Sequence, residues 1–328
     1  GTLSDFSGYK RPIFMFFAVM GVVGCAALGI PMPWLVFLVV FIITKIFYSA
    51  SLVFYDSMLV DMASPSRTDI VSSKGYAWGY IGSCIPFIIS IVIVNFSPLE
   101  TAISMPIATV LNALWWLGFT LPLAKTYHQT HFVPRTPHAV RDNFKRLFSV
   151  FSKKSDVQNK KGIVLFLIAF FLYIDGVYTI IDMATTFGEA LNFNSTSLVL
   201  ALLLTQFIAF PAAVLMGKLA NRVRIELLIL ISIVAYTGIA LFAVFMHSVW
   251  QFWLLACVVG LFQGGVQALS RSYFAKIIPA NQSGCLFGIL DIFGKGASFL
   301  GTMLSSLVMN TTKSANLAAI PIACLLAA

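Results

Sequence analysis

Few side chains in this sequence can do chemistry, and most of them fall on four helical stripes inside apolar runs. In the run 162–186, Asp175, Tyr178, Thr179 and Asp182 stand at i, i+3, i+4 and i+7, one face of one helix. Gln263, Gln267, Ser270 and Arg271 do the same in 249–274, Lys45, Tyr48, Leu52 and Asp56 in 33–60, and Asp291, Lys295, Ser298 and Thr302 in 284–309. Ionisable groups are costly inside a bilayer, so each needs a partner or an aqueous cavity. A cavity with carboxylates and amides suits a zwitterion, and a carboxylate that has lost solvation can take up and release a proton near neutrality. Asp182, on the face of Asp175, is the expected proton carrier. Asp56, Asp61 and Arg271 lie near the inner ends of their helices and read as gating or anchoring charges that snorkel to the interface. Asp291 and Lys295, at i and i+4, read as a structural pair.

Other chemistries lack their residues. There is no P-loop or other nucleotide motif, no nucleophile–base constellation and no metal-ligand spacing, so neither cofactor nor metal is expected and ATP-driven transport in this chain is disfavoured. His128, His131 and His138 share one loop without the spacing of a metal site. The five cysteines, Cys25, Cys84, Cys257, Cys285 and Cys324, all fall in apolar runs and read as core packing. At 59% hydrophobic and 10% charged residues, with a mean hydropathy of +0.92, the chain is too apolar for a soluble domain of 328 residues. Its net charge of +9 lies in connectors and one central loop, with no basic stripe for nucleic acid.

Stepping to the elements that hold the stripes, runs long enough to cross ~30 Å of hydrocarbon occur near 12–30, 33–60, 75–95, 101–123, 162–186, 196–216, 225–246, 249–274 and 284–309. A tenth begins near Ser314. The polar stretch 125–161 separates two halves, 1–124 and 162–328. In it Val140, Phe144, Leu147, Phe148 and Phe151 oppose Arg141, Lys145, Arg146, Lys153 and Lys154, the pattern of an amphipathic helix on the inner membrane surface. The face of Gly75, Gly79, Gly82 and Ser83 reads as close helix packing.

The opening residues, GTLSDFSGYKRP, space Gly1, Leu3, Asp5, Gly8, Lys10 and Arg11 as G-x-L-x-D-x-x-G-x-K-R. This resembles the loop signature that joins the second and third transmembrane helices of the major facilitator superfamily on the cytoplasmic side. In it Asp5 can meet a helix N-terminus or a cation, and Lys10 and Arg11 hold the loop inside. A degraded copy, GKLANRVRIE at Gly217 to Glu226, lies 216 residues on (217 − 1), and the helix openings at Pro33 and Val249 keep that distance. With the first loop inside, the inner connectors collect nearly all Lys and Arg and the outer ones hold only Lys313.

Three stretches, Phe54 to Ser83, Phe170 to Gly188 and Gly260 to Gly301, resemble the vacuole effluxer-like branch of that superfamily. The most specific features are the GGVQALSRS block, Pro279, and Phe287, Gly288, Phe293, Gly294 and Lys295. Thr302, where the family pattern has Pro, and Asp56, where Asn is commoner, depart from it. The resemblance implies an all-α membrane protein of the major facilitator fold, two pseudo-symmetric six-helix halves, here lacking the first two helices and the end of the last. It implies a secondary transporter in a bacterial inner or a vacuolar membrane, with eukaryotic relatives associated with amino-acid efflux. It also implies that helices 33–60, 162–186 and 249–274 line the central cavity, which turns Asp175, Asp182, Gln263 and Gln267 toward a small-molecule substrate. Two other classes stay open on the residues alone: a membrane-embedded receptor or scaffold, and a multi-pass lipid enzyme.

Overall fold

The computed structural model describes residues 1–134 and 159–327; the amphipathic stretch around Val140 to Phe151 lies outside the described residues. Eleven α-helices run through the described residues: α1 (Lys10–Ala27), α2 (Trp34–Ser57), α3 (Leu59–Met62), α4 (Thr68–Phe96), α5 (Thr101–Thr126), α6 (Lys160–Ala190), α7 (Ser195–Leu219), α8 (Ile225–Val244), α9 (Val249–Ile277), α10 (Ser283–Thr312) and α11 (Ile320–Ala327). Among the described residues nine spans are long and apolar enough to cross a membrane. Such helices form because every backbone N–H and C=O must be satisfied within the segment when no water is present. Pro86, Pro106, Pro122 and Pro211 sit inside them.

Boundaries follow local chemistry. Gly8 takes a φ of +76°, which an L side chain disfavours, and so turns the chain into α1. The Asn194 side chain accepts the Thr196 N–H at 2.8 Å and caps α7. Helix α4 starts seven residues before the apolar run at 75–95. Its first turns carry Thr68, Asp69, Ser72 and Ser73, all buried against protein, so a hydropathy threshold misses them. Openings at Lys10, Trp34 and Thr68 recur at Ile225, Val249 and Ser283, each 215 residues on (225 − 10, 249 − 34, 283 − 68). That is one residue from the spacing of the two motif copies.

The chain forms two compact units. The first comprises Gly1–Ser64, Gly82–Val157 and Ile278–Gly288. In it α1 packs on α2 and α5, around a core of Phe14, Ala18, Phe54, Met58 and Tyr127. A Cβ on Gly21 would meet Trp116 and one on Gly24 would meet Thr44, so these glycines set the close approach of the helices. By contrast, Cβ atoms on Gly79 and Gly82 would meet nothing within 4 Å. The close-packing reading of those two glycines is therefore corrected, because a glycine face in sequence does not fix which helix, if any, lies against it.

The second unit comprises Pro65–Ile81, Gln158–Ile277 and Ile289–Ala328. Here α9 packs along α7, with Gly260 against the Thr205 carbonyl and Gly264 against Ala213 and Tyr80. Ala77, Tyr80, Ala209 and Ala213 form one core cluster, and Leu198, Ala201, Met246 and Phe252 another. Cys84 and Cys285 of the first unit are buried, but Cys324 of the second is exposed. An apolar run does not tell which face of its helix is covered, so the core reading of Cys324 is also corrected.

Candidate functional site

In the second unit the α6 stripe divides. Asp175 is 1% exposed; its Oδ1 accepts the Thr179 hydroxyl at 3.3 Å and the Gly301 N–H of α10 at 3.1 Å. A Cβ at position 301 would overlap both Asp175 and Thr179, so only glycine lets this carboxylate reach the backbone. Two turns further, Asp182 is exposed and accepts the Ser298 hydroxyl at 3.1 Å. The desolvation expected at Asp182 belongs to Asp175. Helix rotation, which spacing alone leaves free, decides this. Tyr178 is half-buried, its ring beside Gly294.

On α9, Gln263 is buried and Gln267 accepts the Tyr80 hydroxyl at 3.0 Å. Ser270 receives the Tyr173 hydroxyl at 2.6 Å. Arg271 does not snorkel. It is 6% exposed, donates from Nε to the Ser72 hydroxyl at 2.9 Å and from Nη2 to the Ser72 carbonyl at 3.1 Å, and lies over the Tyr76 ring at 4.7 Å. Ser72 in turn donates to the Ala268 carbonyl at 2.7 Å. A buried guanidinium needs this set of acceptors, since an unpaired one would be expensive. Lys276 pairs with Asp69 at 2.5 Å. Ser72, Tyr76 and Tyr80, spaced by four on α4, are a polar stripe missing from the sequence reading, although the same periodicity could have found it.

The first unit holds the motif loop. Asp5 accepts the Gly284 and Cys285 N–H groups at 2.7 and 2.9 Å, so its carboxylate caps the N-terminus of α10. Burial pushes its pKa up to about 6, against the opposing pull of those N–H groups and of Lys10. Lys10 is fully buried, with Asp61 at 3.1 Å, the Ser283 hydroxyl at 2.9 Å and the Ser57 carbonyl at 3.4 Å. Asp61 does not snorkel either. It also accepts the Tyr127 hydroxyl at 2.5 Å, the Thr130 N–H and hydroxyl, and the His131 N–H, with His131 Nδ1 3.0 Å away. Burial, and the bond to Asp61, push the Tyr127 phenol up. The segment 127–133 thus clasps the loop; Gln129 bonds both Gly8 and Ser4, and Val133 donates to the Asp5 carbonyl at 2.8 Å. Nothing in the spacing of that segment signals the clasp.

Arg11 is exposed, beside His128 and Gln129 in a shallow pocket. Lys45 is exposed, with Nζ 5.5 Å from the Tyr48 ring, and Tyr48 packs edge-on to Trp116. Asp56 is half-buried near the end of α2. In α10, Lys295 and Asp291 pair at 2.5 Å. Among the described residues no three His, Cys, Asp or Glu side chains gather as metal ligands.

The family model described as "Vacuole effluxer Atg22 like" matches residues 1–328. The "Uncharacterized MFS-type transporter YxiO" of Bacillus subtilis (strain 168) is 40% identical over 319 residues, 95% of this chain and 74% of that protein. Autophagy-related protein 22 of Vanderwaltozyma polyspora is 26% identical over 273 residues, 75% of this chain and 52% of that protein. The chain therefore spans about half the length of such fungal relatives. Among solved structures, the human organic anion transporter MFSD10 (TETRAN) superposes with a TM-score of 0.76 at 16% identity, covering 100% of this chain and 77% of that one. The proton:xylose symporter XylE does so with 0.71 at 12%, covering 100% and 80%. At these identities the likeness concerns the fold alone.

Proposed function

Because the chain belongs to the vacuole effluxer Atg22-like family of major facilitator transporters, we propose that it exports small polar metabolites, amino acids foremost, across its membrane by alternating access with proton coupling. The observation that carries this reading is a carboxylate, Asp175, buried in a membrane-spanning helix with one hydroxyl and one backbone N–H as its partners. Among the described residues no Lys, Arg or His pairs with Asp175 to hold its charge, and intramembrane carboxylates of this kind serve as proton relays in transporters. Gln263 and Gln267 supply neutral amide groups on a second helix, which suit the ammonium and carboxylate of a zwitterion without fixing either charge permanently. The coupling role is assigned to Asp175, and Asp182, at the exposed end of the same face, to substrate contact.

Proteoliposomes carrying the protein and loaded with labelled amino acids test this. A pH gradient should drive net movement in the wild type. Asp175→Asn should abolish gradient-driven accumulation and spare exchange between substrate pools. Unchanged accumulation with an unchanged pH profile in that variant would remove the coupling assignment, and absence of any amino-acid movement in the wild type would remove the substrate class.

A further inference from the structure

One cation of the first unit stands where a charge is hardest to keep. Lys45 lies in the middle of α2, eleven residues from Trp34 and twelve from Ser57 (45 − 34, 57 − 45), about 17 Å of helix from either end. The four-carbon stem of a lysine is too short to carry its ammonium over that distance to an interface. Lys45 is nevertheless exposed, and among the described residues its partner is the Tyr48 ring, 5.5 Å from Nζ to the centroid. A ring face attracts a cation without neutralising it, and the three N–H donors of the ammonium still need acceptors. The next carboxylate on that face, Asp56, is eleven residues on (56 − 45), about 17 Å along the same helix and out of reach.

The surroundings hold this pair in place. Thr44 is buried against Gly24 of α1 and donates to the Val40 carbonyl at 2.7 Å, which fixes the rotation of α2 and leaves Lys45 and Tyr48 on its uncovered side. Tyr48 lies edge-on to Trp116 of α5 with 5.6 Å between centroids, and Trp116 fills the space that a Cβ on Gly21 of α1 would need. One turn toward Trp34, Phe41 stacks on Phe37 and is exposed. An ammonium facing hydrocarbon at mid-span would be expensive, so this face of α2 meets water or an anion.

We propose that Lys45, backed by the Tyr48 ring, binds the carboxylate of the transported molecule and selects for it, with Phe41 beside it for an apolar group. This deepens the amino-acid reading above and rests on it for the identity of that molecule. A carboxylate supplies the missing acceptors through charge-assisted hydrogen bonds. A neutral amide in its place leaves the ammonium without a counter-charge.

Equilibrium binding to the protein in phosphatidylcholine nanodiscs, with empty nanodiscs as blank, tests this with three labelled probes. They are L-leucine, 4-methylpentanoate, which keeps the carboxylate without the ammonium, and L-leucinamide, which keeps the ammonium without the carboxylate. The two carboxylates should bind about tenfold or more tighter than leucinamide, the factor that one hydrogen bond to a charged group supplies. Lys45→Met should abolish that preference by weakening the carboxylates alone, and Lys45→Arg, which keeps the cation, should retain it. A preference that survives Lys45→Met, or is lost alike in Lys45→Arg, overturns the proposal, and so does binding of neither carboxylate. L-Leucine binding indifferent to Lys45 removes this assignment and keeps the amino-acid reading; Lys45-dependent binding of 4-methylpentanoate without any of L-leucine does the reverse. A further measurement needs no substrate. Lys45→Cys, in protein whose five native cysteines are replaced, should react with a membrane-impermeant anionic thiosulfonate, and no reaction from either side of the membrane would put this face in lipid and overturn the proposal. If Lys45→Met fails to fold, Lys45→Cys decides.

Discussion

A carboxylate that reaches the backbone of a neighbouring helix requires the neighbour to have no side chain there, and the pair Asp175 and Gly301 meets that condition. Gly301→Ala should push the carboxylate off the N–H and leave it short of a partner, at a cost of roughly 1–3 kcal/mol. Thermal melting in detergent should show that loss, and Asp175→Ala added to Gly301→Ala should recover part of it because the collision partner is gone. Additive losses in the double variant would refute the pairing. Asp5 offers a second residue-scale test. Its folded pKa of about 6 exceeds the ordinary 3.8, so between those values the folded chain holds more protons than the unfolded one. Stability from this group is thus fully present below about pH 4, falls as pH rises to about 6, and is flat above, an amplitude of at most about 3 kcal/mol. The difference in melting temperature between wild type and Asp5→Asn should follow that curve, and a difference independent of pH from 4 to 7 would count against it. The Asp5 cap was legible in the sequence because an acid at a fixed place in a known loop has few helix ends to meet. Asp175 with Gly301, Arg271 with Ser72 and Asp61 with His131 were not, since each joins residues 70 to 199 positions apart through helix rotations that no local pattern encodes.

At the scale of elements, apolar run length located nine spans well because the constraint is backbone satisfaction over a fixed thickness. It failed at the start of α4, where polar side chains are buried by protein. Helix α10 poses the sharper question. The sequence suggests that Asp291 and Lys295 are a buried pair whose breakage costs several kcal/mol, yet the lysine side chain is 47% exposed and the aspartate 31%. A charge facing hydrocarbon at that depth would be expensive, so we place this face of α10 on water. Solvent then screens the pair, and Asp291→Asn or Lys295→Met should each change stability by less than about 1 kcal/mol. Melting temperatures in detergent check this. Transport by the exchanged protein, Asp291→Lys with Lys295→Asp, separates structure from chemistry: retained transport supports a structural pair, and folded but inactive protein moves Lys295 into the substrate or coupling site.

For the whole molecule, the recurrence of helix openings at a spacing of 215 residues carries two consequences. The first is the division we propose, a half at 1–124 and a half at 162–328 joined by 125–161, in which α1, α2 and α4 correspond to α8, α9 and α10. Equivalent connectors of parallel repeats lie on the same side of a membrane. The second consequence is therefore topological: the loop before α1 and the loop before α8 should share one side, and the Lys and Arg excess makes that side the cytoplasm. Segment 127–133 clasps the first loop through Gln129 and Val133, so it must lie on the same side too. Single cysteines at His128 and Lys218, introduced after replacing the five native cysteines, should react with a membrane-impermeant maleimide only in inside-out vesicles. A cysteine at Lys313, on the connector after α10, should react only in right-side-out ones. Labelling of positions 128 and 218 from opposite sides would break the repeat, whereas labelling of both from outside with 313 from inside would keep the repeat and invert the orientation, so the three positions together distinguish an error in the fold's symmetry from an error in the charge rule.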